Sequence, residues 1–315
     1  MKIVSLDQDI FASPYIDHID CLDELKALGA EFTAYSDQPV PSEDEMYERM
    51  KDADIVYWGI YELPNSLLSR LPKLKILVYY GVGYENYIDA DYCEERKIEI
   101  YNTPNYGSNT VAEYALGLAF ALTRRICKAD RRMREHDWRS QGLEGVELAG
   151  LTYGIAGTGA IGSLVAKKAS LLGASVIASD IYESEELKEK FGVKYVPLEE
   201  LMATSDIVSL HLNVLDSTKG IISKDLINTM KDGAFFINCA RSAIVESYEP
   251  VYERLKAGTL AGAAIDVFDT EPIASFEPCQ LDNIITSPHI GYLTCTAMAN
   301  TLIIAVKQTL KALQK

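Results

Sequence analysis

Three short segments hold side chains whose types suit acid–base chemistry beside a carboxylate: Asn238-Cys239-Ala240-Arg241, Asp266-Val267-Phe268-Asp269-Thr270-Glu271-Pro272 and Ser287-Pro288-His289-Ile290-Gly291. Each follows an apolar run that reads as a buried strand, near Ala234 to Asn238, Ala263 to Val267 and Ile284 to Thr286. In an open α/β sheet ligands bind beyond the carboxyl ends of the strands, which is where Arg241, Glu271 and His289 are expected to converge. A guanidinium takes a carboxylate through two parallel hydrogen bonds. An imidazole exchanges protons near neutral pH, and a glutamate on its other nitrogen fixes the tautomer and favours the charged ring. The plainer alternatives are an Arg241 paired with a surface acid, a Glu271 that only begins a turn before Pro272, and a His289 that is structural after Pro288.

Upstream, Gly157-Thr158-Gly159-Ala160-Ile161-Gly162 matches G-x-G-x-x-G, a weak signal alone in a chain with 20 glycines. Its setting makes it specific. A strand from Tyr153 to Ala156 leads in, a helix with Leu164 and Val165 facing the sheet leads out, and a second strand ends in Asp180, 18 residues past Gly162. Gly157 permits the tight turn, Gly159 lets the backbone approach a pyrophosphate at the helix N-terminus, and Gly162 allows close helix-to-strand packing. The Asp180 carboxylate accepts from the adenosine ribose and repels a 2′-phosphate. Ile181 and Tyr182 follow it where an arginine would favour the phosphate, so NAD is expected over NADP. His211, just after the strand Ile207 to Leu210, is a candidate to line the same site or else a satisfied core histidine.

The elements needed to position these groups are legible. Strands at Lys2 to Leu6, Glu31 to Tyr35, Ile55 to Trp58, Ile76 to Tyr80 and Glu99 to Tyr101 alternate with helical stretches such as Ile16 to Leu28, the rhythm of a parallel sheet. Ser42-Glu43-Asp44-Glu45 predicts a capped helix start. Asn102-Thr103-Pro104-Asn105 breaks the pattern, and a long helix through Val111, Ala115, Leu118 and Leu122 is apolar on most sides. A second series from Leu151 supplies a complete sheet of its own. The final helical pattern, Ala297 to Leu313, is expected to return to the first domain. The fold class that follows is α/β with two doubly wound parallel sheets, a Rossmann domain of residues 104–288 inserted into a flavodoxin-like domain of 1–103 and 289–315.

Composition bounds the function. The chain has 315 residues, 48% hydrophobic, and a formal net charge of −16, a surface that repels nucleic-acid phosphates and anionic lipid; neither nucleic acid nor membrane is an expected partner. No signal-peptide core precedes Asp7, and the longest apolar stretch, Ala115 to Leu122, is far short of a span. Six widely spaced cysteines argue against a disulfide framework or structural zinc. A reducing cytoplasm is the expected setting, with no metal.

These segments, together with Gly81-Val82-Gly83-Tyr84-Glu85-Asn86-Tyr87-Ile88-Asp89, Asn102-Thr103-Pro104 and Val111-Ala112-Glu113, resemble the D-isomer-specific 2-hydroxyacid dehydrogenase family over nearly the whole chain. The resemblance implies an NAD-dependent enzyme passing a hydride between the nicotinamide and a small 2-oxo or 2-hydroxy acid. Arg241 would bind the substrate carboxylate, His289 act as general acid and Glu271 hold it. The backbone of Val82 and Gly83 would take the other carboxylate oxygen, and Asp266 and Cys239 would line the nicotinamide subsite. The glycine loop Gly157, Thr158, Gly159, Ala160 and Ile161, with Asp180, would hold the dinucleotide. A homodimer formed through the cofactor domains, consistent with the apolar helix Val111 to Leu122, and cleft closure on cofactor binding are also implied.

Ser242 stands where the family usually has glycine, and Asn213 where it has proline. The stretches in which phosphoglycerate-specific relatives carry arginines read Val56-Tyr57-Trp58-Gly59-Ile60 and Tyr79-Tyr80-Gly81 here, which speaks for an unphosphorylated substrate. The aromatics, Tyr57 and Tyr80 foremost, are expected to wall the substrate side or to pack in the core. The alternatives are a non-catalytic NAD(H)-sensing protein built like the corepressors of this fold, and a phosphoglycerate-type dehydrogenase.

Overall fold

A computed structural model describes residues 1–6, 20–35, 41–59, 61–85 and 87–314, with Asp20 described in its backbone alone. His18, Ile60, Asn86 and the start of the first expected helix at Ile16 lie outside the described residues. The chain divides into two compact units, Met1–Gly107 with Leu293–Lys315, and Ser108–Tyr292.

In the first unit β1 (Lys2–Ser5), β2 (Glu31–Ala34), β3 (Ile55–Trp58), β4 (Ile76–Tyr79) and β5 (Glu99–Asn102) pair in parallel in the order β2-β1-β3-β4-β5, the flavodoxin-like order. Every residue of β3 and β4 is buried, as central parallel strands covered on both faces require. Their side chains alternate between two cores. Val56, Trp58, Leu77 and Tyr79 join the cluster on one face, and Ile55, Tyr57, Ile76, Val78 and Tyr80 the cluster on the other. The C-terminal helix Cys295–Leu313, capped by Thr294, lays Leu302, Ala305 and Val306 into the second cluster against α1 (Asp20–Ala27). Helix α2 (Glu43–Met50) starts as its sequence dictates, with a capping box: the Ser42 hydroxyl accepts from the Glu45 amide, and the Glu45 carboxylate from the Ser42 amide at 2.8 Å.

This alternation corrects the aromatic wall. Tyr57 is fully buried, and its hydroxyl donates to Thr309 Oγ1 at 2.7 Å while Thr309 donates to the Ala305 carbonyl at 3.0 Å. Tyr80 is buried with its hydroxyl 3.1 Å from Ser5 Oγ. Both rings face a helix-covered core because strand period, and not aromatic content, decides where a side chain points.

In the second unit β6 (Thr152–Ala156), β7 (Ser175–Ser179), β8 (Lys194–Tyr195), β9 (Ile207–Leu210), β10 (Phe235–Asn238), β11 (Gly262–Ile265) and β12 (Ile284–Thr286) form one parallel sheet. Its order, β8-β7-β6-β9-β10-β11-β12, is the Rossmann order with one further strand. Helix α5 (Ser108–Thr123) packs on β10, β11 and α7 (Gly162–Leu171), and exposes only Asn109, Glu113 and Gly117. Most of its apolar residues are thus packed inside the unit, with Val111, Tyr114, Phe120 and Ala121 half-buried. Two elements lie outside the expected series: α6 (Ile126–Arg134), a highly charged helix with no buried residue, and the two-residue edge strand β8.

Candidate active site

Strand β10 ends at Asn238, whose buried carboxamide shapes the next turn. Its oxygen accepts from the Ala240 amide at 2.9 Å, and its nitrogen donates to the Arg241 carbonyl at 3.0 Å and the Tyr248 hydroxyl at 2.8 Å. Arg241 emerges exposed, with Nη1 donating to the Ala240 carbonyl at 2.8 Å and no ion pair among the described residues. Most of its guanidinium fork is thus uncommitted to protein acids. Ser242 begins a short 3-10 turn, Ser242–Ile244, and is not among the residues with positive φ, so a side chain in place of glycine costs no backbone strain here.

His289 and Glu271 meet beyond the strand ends: Nδ1 of His289 lies 2.7 Å from Oε2 of Glu271. The second Glu271 oxygen accepts from the Phe268 amide at 2.9 Å, so both carboxylate oxygens are fixed. Burial alone would raise the Glu271 pKa. The bonds from His289 and Phe268 and the charges of His289 and Arg241 outweigh it and hold the carboxyl below its usual range. With Nδ1 engaged, Nε2 of His289 is the nitrogen left to exchange a proton.

His289 has φ 53°, a left-handed conformation that costs a non-glycine residue free energy and persists only where the surroundings impose it. Asp266 imposes it. Its Oδ1 accepts from the Ser287 hydroxyl at 2.6 Å and the Ile290 amide at 2.9 Å, its Oδ2 from the Gly291 amide at 2.8 Å, and its carbonyl from the His289 amide at 2.9 Å. Asp266 is 1% exposed, and three donors on its carboxylate hold the histidine segment. Tyr114 on α5 extends the clamp by donating to Ser287 Oγ at 2.7 Å. Tyr114 gives no signal in the sequence beyond a helical position. Cys239 is buried too, its thiol pushed up to about 12 by burial and the Asp266 charge, so it stays neutral and supplies surface rather than a nucleophile.

The glycine-rich turn fits a dinucleotide. Gly157 has φ 94°, and a Cβ there would meet the His211 carbonyl group at 2.9 Å; a Cβ on Gly162 would meet the Gly157 carbonyl oxygen at 1.9 Å. A Cβ on Gly159 would meet nothing within 4 Å, so the chain approaches no protein there and leaves room for another group at the start of α7. Ala160 is exposed beside it, and Thr158 and Ile161 are half-buried. Asp180 follows β7, its Oδ2 accepting from the Thr158 amide and hydroxyl and its Oδ1 from the Tyr182 amide. His211 packs under this turn. Its amide donates to the Ala156 carbonyl at 2.7 Å, its Nε2 lies 2.8 Å from Ser209 Oγ, and its Nδ1 is buried without a partner. Burial lowers its pKa to about 4, so the imidazole beneath the turn is neutral.

Val82 and Gly83 lie in the first unit, just beyond the carboxyl end of β4. Val82 is 50% exposed, and its carbonyl accepts from Asn102 Nδ2 at 2.8 Å, which ties this loop to the end of β5.

A parallel sheet in this order, with a glycine turn after its first strand and an acid after its second, defines a dinucleotide-binding Rossmann domain. The family model of the D-isomer specific 2-hydroxyacid dehydrogenase NAD binding domain matches residues 116–291. The chain is 35% identical over 265 residues to a glyoxylate reductase of Korarchaeum cryptofilum, covering 82% of this chain and 79% of that protein. It is 39% identical over 259 residues to a D-3-phosphoglycerate dehydrogenase of Archaeoglobus fulgidus, covering 82% of this chain and 49%, about half, of that longer protein. Among solved structures, the D-lactate dehydrogenase from Aquifex aeolicus complexed with NAD and lactic acid superposes with a TM-score of 0.78 at 29% identity, covering 100% of this chain and 94% of that one. The chain belongs to the D-isomer-specific 2-hydroxyacid dehydrogenase family and, with it, to the NAD-dependent oxidoreductases.

Proposed function

We propose that this protein interconverts a small unphosphorylated 2-oxo acid and the D-2-hydroxy acid, with NAD(H) preferred over NADP(H). The observation that carries the reading is the His289–Glu271 pair at 2.7 Å, held beyond the strand ends of a Rossmann sheet. When bound, the nicotinamide supplies the hydride in reduction and receives it in oxidation. Arg241 binds the substrate carboxylate through the uncommitted part of its fork and polarises the keto oxygen. His289 gives the Nε2 proton to the oxygen as C2 is reduced, and takes it back in the reverse direction. Glu271 keeps the ring oriented, and Asp266 holds the left-handed bend that aims it. General acid catalysis of this kind contributes roughly 10²–10⁴-fold. Gly157 to Ile161 and Asp180 hold the pyrophosphate and the adenosine ribose.

Lack of a cation in Val56–Gly59 and Tyr79–Gly81 supports an unphosphorylated substrate. A second reading, a phosphoglycerate-type dehydrogenase, draws support from the 39% identity to that enzyme. The chain further reads as a homodimer. Ile126, Met133, Trp138 and Val146, all exposed on or after α6, form the apolar surface for it, with Trp138 85% exposed. The deciding experiment follows NADH absorbance with glyoxylate, pyruvate, hydroxypyruvate, bulkier 2-oxo acids and 3-phosphohydroxypyruvate. Turnover of an unphosphorylated acid that is lost in His289→Ala supports the first reading, and preference for the phosphorylated acid the second. Tight NADH binding with no turnover points instead to an NAD(H)-sensing role.

A further inference from the structure

Discrimination by Asp180 requires its carboxylate to keep one orientation although it is half-exposed at the end of β7, and a chain of hydroxyls supplies that constraint. Asp180 Oδ2 accepts from the Thr158 amide at 2.5 Å and from Thr158 Oγ1 at 3.2 Å. Thr158 Oγ1 accepts from the Tyr195 hydroxyl at 3.0 Å, and the Tyr195 oxygen accepts from the Ser184 amide at 3.0 Å. The direction of this chain is forced: an amide only donates and a carboxylate only accepts, so each hydroxyl between them has its single proton committed toward Asp180. Among the described residues Oδ1 accepts from the Tyr182 amide alone, at 3.0 Å, which leaves it lone-pair capacity for a ribose hydroxyl.

The anchors are rigid. Tyr195 lies on β8, in register with Ala178 of β7, and Ser184 caps the helix Glu185–Phe191 with its own hydroxyl accepting from the Leu187 amide. Lys188 has Nζ 5.7 Å from the ring centroid of this tyrosine, and it is paired with both Glu183 and Glu185, so its charge is spent within the protein rather than offered to a 2′-phosphate.

We propose that Thr158 and Tyr195 are positioning residues that set cofactor specificity, locking the Asp180 carboxylate for an adenosine ribose with a free 2′-hydroxyl. The proposal rests on the reading of Asp180 as the ribose acid. Tyr195 does not touch the reacting atoms, so its loss acts on dinucleotide affinity and leaves turnover at saturating NADH intact.

The test measures NADH and NADPH dissociation constants by quenching of protein fluorescence on the full chain, together with kcat at saturating NADH. Tyr195→Phe is expected to weaken NADH binding by about threefold to tenfold, with NADPH binding and kcat held within about twofold. Thr158→Val should do at least as much and Thr158→Ser should restore the preference. The Thr158→Val/Tyr195→Phe double variant should bind NADH no more weakly than Thr158→Val alone, since both cut the same chain. Equal loss of NADH and NADPH binding in Tyr195→Phe, an unchanged preference, or full additivity in the double variant would overturn the proposal. Asp180→Ala separates the two levels. If it leaves the preference unchanged, the reading of Asp180 fails and this proposal with it; if it shifts the preference while Tyr195→Phe does not, only the proposal fails.

Discussion

Nδ1 of His289 and Oε2 of Glu271 stand 2.7 Å apart although 18 residues separate them in the chain, and the backbone of each is fixed independently. The Phe268 amide holds the other Glu271 oxygen, and Asp266 holds the left-handed bend at His289. A Glu271→Gln variant keeps the shape and removes the charge. We expect kcat for 2-oxo acid reduction to fall by about tenfold to a hundredfold, with KM for the acid nearly unchanged. Steady-state kinetics on both parameters checks this, and a change confined to KM would contradict it.

The same carboxylate links stability to pH. Its pKa is depressed in the folded protein, so its contribution is fully present above the ordinary carboxylate value of 4.5 and is lost as pH falls through the lower folded value. The difference in melting temperature between the wild type and Glu271→Gln should therefore be largest at neutral pH and shrink below pH 4.5. Thermal melts across that range measure it.

His211 has the opposite consequence. Its pKa falls from 6.5 to about 4 on folding, so the unfolded chain binds a proton that the folded chain refuses, and stability declines as pH drops from 6.5 toward 4. The largest effect is on the order of 3 kcal/mol. His211→Gln should flatten this part of the stability profile. Denaturant unfolding at several pH values shows whether it does.

Arg241→Lys keeps the charge and loses the fork. A lysine is a point charge, so kcat/KM for the 2-oxo acid should fall by about 10²-fold in Arg241→Lys and at least as far in Arg241→Ala, while NADH affinity stays within about twofold. Near-wild-type activity in the lysine variant would show that bidentate capture is not needed.

Tyr57→Phe distinguishes core from substrate wall. Removing a buried hydroxyl that donates to Thr309 should cost about 1 kcal/mol of stability and leave KM for every acid unchanged. A selective change in KM would return Tyr57 to the substrate side.

The sequence by itself carried the period-2 and period-3.6 patterns that make two parallel α/β sheets, the capped start at Ser42, the glycine turn, and the three side-chain types after β10, β11 and β12. Such features are local, because strand burial, helix capping and turn conformation depend on a few neighbouring residues. Tertiary structure decided what those side chains face. Tyr57 and Tyr80 point into a helix-covered core, Asp266 spends its carboxylate on the segment that carries His289, and His211 lies under the turn it was expected to line. It also brought Tyr114 to Ser287 and Tyr195 to Thr158, contacts across 173 and 37 residues of chain. A hydrogen bond of that span depends on how helices and edge strands pack. No spacing along the chain encodes it, and a two-residue strand such as β8 is too short to show a pattern at all.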